Sequence, residues 1–212
     1  MLSTYDCSHV VDIADEPRHH LIIANEYIRA FAVEIPPHDR TLCHRHPHDY
    51  LLYVAGGAEI ISAARDEEPK RLSYSEGECE LSQAGLIHIV ENLSDKTFRN
   101  VVVELQPRSR TLRRGAPPKV ISGNAQTERL LNEDAGEVVS LAISPGAEVE
   151  IAGPAVLAAP YGRAVMVKEI DDYDTALDDF RKLMWICAPR KVGVRNSGNA
   201  PARLIVFQLG SR

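Results

Sequence analysis

Short apolar runs broken by turn residues dominate the chain. Tyr27 to Ile35 (YIRAFAVEI), Tyr50 to Val54, Ala58 to Ser62, Leu86 to Val90 and Phe98 to Leu105 are rich in β-branched and aromatic residues, the composition that suits a pleated, half-buried surface. Pro36-Pro37, Gly56-Gly57, Glu76-Gly77 and Asn92 to Asp95 separate them as turns. Nothing in the first hundred residues holds apolar positions at a helical period, so the pattern predicts an all-β sandwich or barrel of short strands. It returns in Glu137 to Ile143, Ala164 to Ile170, Leu183 to Cys187, Lys191 to Val194 and Arg203 to Leu209. One stretch departs from it. Tyr173, Ala176, Leu177, Phe180 and Leu183 fall at helical spacing, which predicts a short helix over Asp172 to Met184 opened by an aspartate cap.

The two sets of strands repeat. Asn25-Glu26 leads through a strand to Pro36, and Asn132-Glu133 leads through a similar strand to Pro145. Asn92 precedes Leu105 at the end of a Val-rich strand, and Asn196 precedes Leu209 at the end of LIVFQL, with an offset of 104 residues both times. Such coincident anchors indicate an internal duplication, with a first domain over 1–106, a linker over 107–126 and a second domain over 127–212. Pro107 to Lys119 carries five basic residues and no acidic one, and reads as an extended strap whose charge is solvated.

Composition narrows the class. The 212 residues are 44% apolar and 25% charged with a net charge of −6, which fits a globular chain and makes a nucleic-acid partner a poor expectation. No apolar run is long enough for a membrane helix, and the first residues lack the basic and apolar regions of a signal peptide. Aromatic content is 6%, with Trp185 the single tryptophan, so an aromatic cage is not expected. Cys7, Cys43, Cys79 and Cys187 show no C-x-x-C spacing and read as free thiols in a reducing, cytoplasmic compartment.

Histidine is the residue that carries chemistry. Four of the eight lie between His38 and His48, and none lies after His88. On a strand His44 and His46 project to one face, the arrangement of two imidazoles sharing a metal. His88 sits in an apolar strand, Leu86 to Val90, where a buried imidazole needs a partner. Neighbouring Cys43 and Arg45 alternate away from that face, Cys43 toward core or interface and Arg45 toward solvent.

The flanking residues resemble the cupin superfamily. Its first motif, G-x5-H-x-H-x3,4-E-x6-G, is matched by His44, His46 and Gly57, with Tyr50 in the glutamate slot and Asp39-Arg40 near the missing first glycine. The second, G-x5-P-x-G-x2-H-x3-N, is matched by Gly77, Gly85, His88 and Asn92, with Gln83 in place of proline. The resemblance implies two tandem cupin (jelly-roll) barrels. In the second, Val192 stands at the position of His88 and no histidine occurs, so that barrel is expected to be degenerate and without metal. A homodimer that covers exposed strand edges is a further expectation.

The resemblance also implies a divalent transition metal held by His44, His46 and His88. Iron is favoured among Fe, Ni, Zn and Mn, although imidazole suits all of these. Three readings of the fourth position stand: three histidines alone, Tyr50 as hydrogen-bond partner or ligand, or Asp49 reaching in. The first is favoured. Tyr50 and His48 are the candidates for catalytic roles, and His38 and His48 for supporting or loop roles. The expected function is that of an enzyme on a small oxygenated metabolite, foremost a three-histidine Fe(II) dioxygenase. The alternatives are a Zn-, Ni- or Mn-dependent isomerase or lyase on a sugar acid or keto acid, and a non-catalytic metal- or ligand-binding module.

Overall fold

The computed structural model describes residues 5–160, 165–168 and 174–211. The chain divides into two units, Met1–Pro107 and Arg108–Arg212. The first contains β1 (Val11–Asp12), β2 (His19–Ala24), β3 (Ile28–Ile35), β4 (His44–Arg45), β5 (Tyr50–Gly56), β6 (Ala58–Ala64), β7 (Lys70–Tyr74), β8 (Cys79–Ser82), β9 (Ile87–Asn92) and β10 (Phe98–Leu105). The second contains β11 (Lys119–Ser122), β12 (Ala125–Glu133), β13 (Gly136–Ile143), β14 (Glu148–Ala152), β15 (Ala155–Ala158), β16 (Val165–Lys168), β17 (Asp174–Leu177), β18 (Leu183–Ile186), β19 (Lys191–Asn196) and β20 (Ala202–Leu209). Among the described residues no helix is long and apolar enough to cross a membrane.

Each unit is two five-stranded sheets. In the first the orders are β1-β4-β9-β6-β7 and β2-β3-β10-β5-β8; in the second they are β11-β14-β19-β16-β17 and β12-β13-β20-β15-β18. Adding ten to every strand number of one unit yields the other, so the duplication read from the sequence is present in the topology. The two sheets of the first unit share one core. Phe31, Val33, Leu52 and Val102 from one sheet pack with Ile60 and Val90 from the other, as a jelly-roll sandwich requires.

The repeated asparagine marks the same device twice. Asn92 Nδ2 donates to the carbonyls of Ile35 (3.0 Å) and Lys96 (2.7 Å), and its Oδ1 accepts from Ser94 N–H. Asn196 Nδ2 donates to Ile143 and Ala200 carbonyls, both at 2.8 Å, and its Oδ1 accepts from Gly198 N–H. A buried side chain thus satisfies the backbone of the turn that starts β10 or β20. The motif glycines have an equally local cause: Gly77 and Gly85 sit at φ +92° and +93°, in the region that favours glycine.

Two expectations are overturned. Cys7 and Cys43 form a disulfide, Cα to Cα 5.3 Å, so they are not free thiols; among the described residues only Cys79 and Cys187 are. Spacing could not reveal this pair, because it depends on β1 lying parallel beside β4, with Val11 paired to His44. The bond holds the N-terminal segment, with Tyr5 and Val10, against the outward-facing Ile61, Ile87 and Ile89. Cys43 therefore does point away from His44, into that outer cluster. The helix expected over Asp172 to Met184 is also absent. β17 and β18 occupy this stretch and pair with β16 and β15, with Asp172 and Tyr173 outside the described residues. The helical spacing was a coincidence of two strands joined by a turn in which Lys182 N–H donates to the Asp179 carbonyl.

In the basic stretch Arg108, Arg110, Arg113 and Lys119 are exposed, as expected of solvated charge, while Arg114 is bound. The stretch forms a 3-10 turn at Pro107–Thr111, and Arg114, with 6% of its side chain exposed, donates to Gly210 O, Glu133 O and Glu137 Oε2 of its own unit. Asn92→Ala and Asn196→Ala should each destabilise the protein by about 1–3 kcal/mol, the cost of leaving buried carbonyls unpaired, read as a lowered denaturant midpoint.

Candidate metal centre

Strand pairing sets the geometry. His44 on β4 is the register partner of His88 on β9, so both side chains stand on the inner face, ring centroids 4.6 Å apart. His46 follows on the same face. Its N–H donates to the Leu86 carbonyl at 2.9 Å and its carbonyl accepts from Gly85 N–H at 2.8 Å. Its ring lies 5.1 Å from His44 and 5.3 Å from His88. A fourth imidazole comes from the facing sheet: His19, the first residue of β2, lies 4.6 Å from His44. One ligand atom each of His19, His44 and His46 lies within 4.8 Å of the others. All four rings are buried.

The partners of these rings define which nitrogen is free. His44 Nδ1 lies 2.9 Å from the Leu42 carbonyl, and His88 Nδ1 lies 3.2 Å from Ser62 Oγ. Their Nε2 atoms are buried and have no partner. His19 Nδ1 is 2.7 Å from Glu16 Oε2, a carboxylate–imidazole pair of the kind that orients metal ligands. Burial works against the Glu16 charge, yet hydrogen bonds from His19, Arg18 N–H and Leu42 N–H hold its pKa at about 2. Burial lowers His44 to about 4 and takes His46 and His88 well below the ordinary imidazole value, so these rings are neutral at pH 7. The orphaned Nε2 atoms of His44 and His88, beside the converging ligand atoms of His19, His44 and His46, are a donor set that fits a divalent transition metal; His88 stands outside that closest group of three.

Other predicted residues fall variously. The Tyr50 ring stacks on His46 at 4.3 Å, and burial pushes its hydroxyl up to about 12. Asp49 is turned away, accepting Ala84 N–H at 2.8 Å. His38 is exposed and paired with Asp95 at 2.8 Å. His48 is half-buried and does not line the cavity beside the cluster. His19 escaped sequence reasoning because it lies outside both motifs; its one local signal is an acidic residue three positions earlier.

Beside the histidines lies a cavity of about 260 Å³. Its walls are largely aliphatic and aromatic, including Val33, Leu52, Ile60, Val90 and Phe98, and no Lys or Arg lines it. Besides the imidazoles, its polar groups are Ser62, Glu80, Ser82, Asn100 and the Tyr50 and Tyr74 hydroxyls. Glu80 accepts from Tyr74 and Ser82 hydroxyls, both at 3.2 Å. Asn100 is 4% exposed, and its Oδ1 has no partner.

The second unit lacks the cluster. Topology puts Ile151 and Val192, themselves register partners, at the positions of His44 and His88. Gly153, whose N–H donates to Arg190 O as that of His46 does to Leu86 O, replaces His46. A Cβ there would strike the carbonyls of Ile186 and Cys187. Exposed Thr127, paired with Leu141 as His19 is with Val33, replaces His19.

Comparison with solved structures agrees with this fold. Salicylate 1,2-dioxygenase from Pseudaminobacter salicylatoxidans superposes with TM-score 0.62 at 13% identity, covering 90% of this chain and 76% of that one. AerE from Microcystis aeruginosa gives 0.61 at 14% identity, covering 92% and 98%. A cupin 2 conserved barrel domain protein from Leptotrichia buccalis gives 0.56 at 10% identity, covering 92% and 89%. No family model and no curated protein matches the sequence. The chain has the bicupin fold: a first cupin barrel with a histidine centre and a second barrel in which that centre is lost.

Purified protein should carry about one transition metal per chain, measured by elemental analysis. His44→Ala and His88→Ala should abolish binding. His19→Ala should weaken it by at least about tenfold; unchanged affinity would remove His19 from the centre.

Proposed function

We propose that the protein is a metal-dependent cupin oxygenase, with Fe(II) as the metal, acting on a small and largely apolar molecule that chelates through oxygen. The observation that carries this is the all-imidazole cluster opening onto a cavity of about 260 Å³ with apolar walls and no cationic residue. A sugar acid would leave its hydroxyls and carboxylate facing aliphatic walls, which disfavours the isomerase alternative. A fold neighbour is named a dioxygenase, which supports the chemistry for the fold and nothing about the substrate.

Ferrous iron would supply a site for dioxygen and for a chelating substrate side by side. The protein's own part is orientation and exclusion of water. Glu16 and the Leu42 carbonyl, both acceptors, fix the tautomers of His19 and His44, and Ser62 orients the His88 ring. The Tyr50 hydroxyl is a hydrogen-bond donor for a bound oxygen, and the apolar walls keep competing water out. In the overall reaction one C–C bond of the substrate breaks and both atoms of dioxygen end in the products. Dioxygen takes four electrons from the substrate, so no external reductant is needed.

The disulfide withdraws one support for a cytoplasmic location, since only two described cysteines are free thiols. A homodimer belongs to the same proposal: β2 is an edge strand that exposes Leu21 and Ile22, and light scattering checks it.

Oxygen-electrode assays of the Fe(II) form against β-diketones, thiols and keto acids should find uptake with a neutral β-diketone or a similar chelator. Uptake with none, alongside turnover of a uronate, would replace this reading with the isomerase. No turnover of any of them would favour the non-catalytic module.

A further inference from the structure

We propose that Glu104 is the positioning residue of His46: its Oε1 accepts the Nδ1–H of that imidazole and so aims Nε2 at the metal. The proposal rests on reading the histidine cluster as a metal centre.

Glu104 lies on β10, wholly buried, with Arg29 on β3 and Tyr50 on β5 as its register partners. Arg29 Nε and Nη2 both donate to Oε2, at 2.8 and 2.6 Å, while Arg29 Nη1 donates to Asp12 at 2.7 Å. An ion pair alone would let the guanidinium fork take both carboxylate oxygens. Here both donors fall on Oε2, and Oε1 is left buried without a partner. It points at His46, whose Nδ1 lies 3.7 Å away and is itself buried and unpartnered. This is just beyond hydrogen-bond length, and a small rotation of the imidazole closes it.

Two comparisons within the molecule agree. The other three rings each have Nδ1 engaged, by Glu16, the Leu42 carbonyl and Ser62; His46 is the one ring whose partner is not yet made. In the second unit, where the histidines are gone, the position of Glu104 is held by Gln208, and that of Arg29 by Glu137. Gln208 Nε2 donates to the Ala116 carbonyl, and its Oε1, like that of Glu104, is buried without a partner. The second unit's carboxylate at this register pair, Glu137, sits on the neighbouring strand and pairs with Arg114, so the glutamate facing an imidazole belongs to the first unit alone. Tyr50, which fills the glutamate slot of the cupin motif, is the residue across from Glu104, so a carboxylate is supplied from the adjacent strand.

The test uses the full chain loaded with Zn(II), a diamagnetic probe. In wild type, imidazole proton–nitrogen spectra should show His46 protonated on Nδ1, with a downfield, slowly exchanging N–H. Glu104→Gln should move that resonance upfield and weaken zinc binding by about 10–100-fold in chelator competition. Glu104→Asp, which restores the carboxylate, should recover part of both. If the glutamine variant does not fold, the His46 resonance in wild type and its displacement in Glu104→Asp decide. The proposal is overturned if His46 is protonated on Nε2 in the wild-type zinc form. It is equally overturned if the variants bind zinc within about twofold of wild type with the resonance unmoved. A wild-type chain that binds no zinc overturns the metal reading itself and this proposal with it, and the wild-type titration tells the two failures apart.

Discussion

Imidazoles buried against one another need each ring to be held in one orientation. For His19 and His44 this is done by a short chain of hydrogen bonds around Leu42. Its N–H donates to Glu16 Oε1 at 3.2 Å, Glu16 Oε2 lies against His19 Nδ1, and the Leu42 carbonyl faces His44 Nδ1. The backbone of one residue, Leu42, therefore links an imidazole from each sheet through the Glu16 carboxylate. Leu42 is in turn fixed by its neighbours. Cys43 is bonded to Cys7, its carbonyl accepts from Val11 N–H at 3.0 Å, and β4 is clasped between β1 and β9. The disulfide and β1 belong to the centre as much as to the fold, because β4 is only two residues long and has little pairing of its own.

The second unit answers whether the fold needs this centre. It builds the same ten-strand order with the same asparagine turn, differing in that β11 runs antiparallel to β14 where β1 runs parallel to β4, yet Ile151, Val192 and Ala155 fill the interior. Apolar residues at those positions give a continuous core, which buried polar groups do not give without full pairing. The histidines of the first unit are therefore not a requirement of the architecture. They displace apolar packing, stand beside a cavity, and leave the Nε2 atoms of His44 and His88 unpaired. Those costs are tolerated where a ligand meets them.

Much of this was legible in the sequence, for reasons that differ by residue. His44, His46 and His88 were readable because strand alternation and fixed motif spacing place them without knowledge of the fold. The duplication was readable at Asn92 and Asn196 because one side chain satisfies one turn, and its position relative to the next strand cannot drift. His19, Glu104 and the Cys7–Cys43 bond were not. Each meets its partner through the pairing of separate strands, and no local spacing encodes which edge strand lies across the sandwich. The helix expected before Met184 failed for the converse reason. Its periodicity was real along the chain, but β16 and β15 offered pairing partners that the local pattern could not anticipate.

Charge finally limits what the centre can hold. Imidazole ligands carry no negative charge to compensate a divalent cation, and the carboxylates of Glu16 and Glu104 stand behind His19 and His46. Burial raises Glu104 to about 7 despite Arg29, so it is a weak counter-charge near neutrality. An oxygen anion bound directly at the metal would complete the balance. A carboxylate farther out would not. It would meet apolar walls and the Glu80 side chain, with no Lys or Arg to receive it. On the proposed reading, a fitting molecule would carry its acidity at the chelating end, as an enol or a phenol does, with the remainder apolar apart from a group able to engage Asn100.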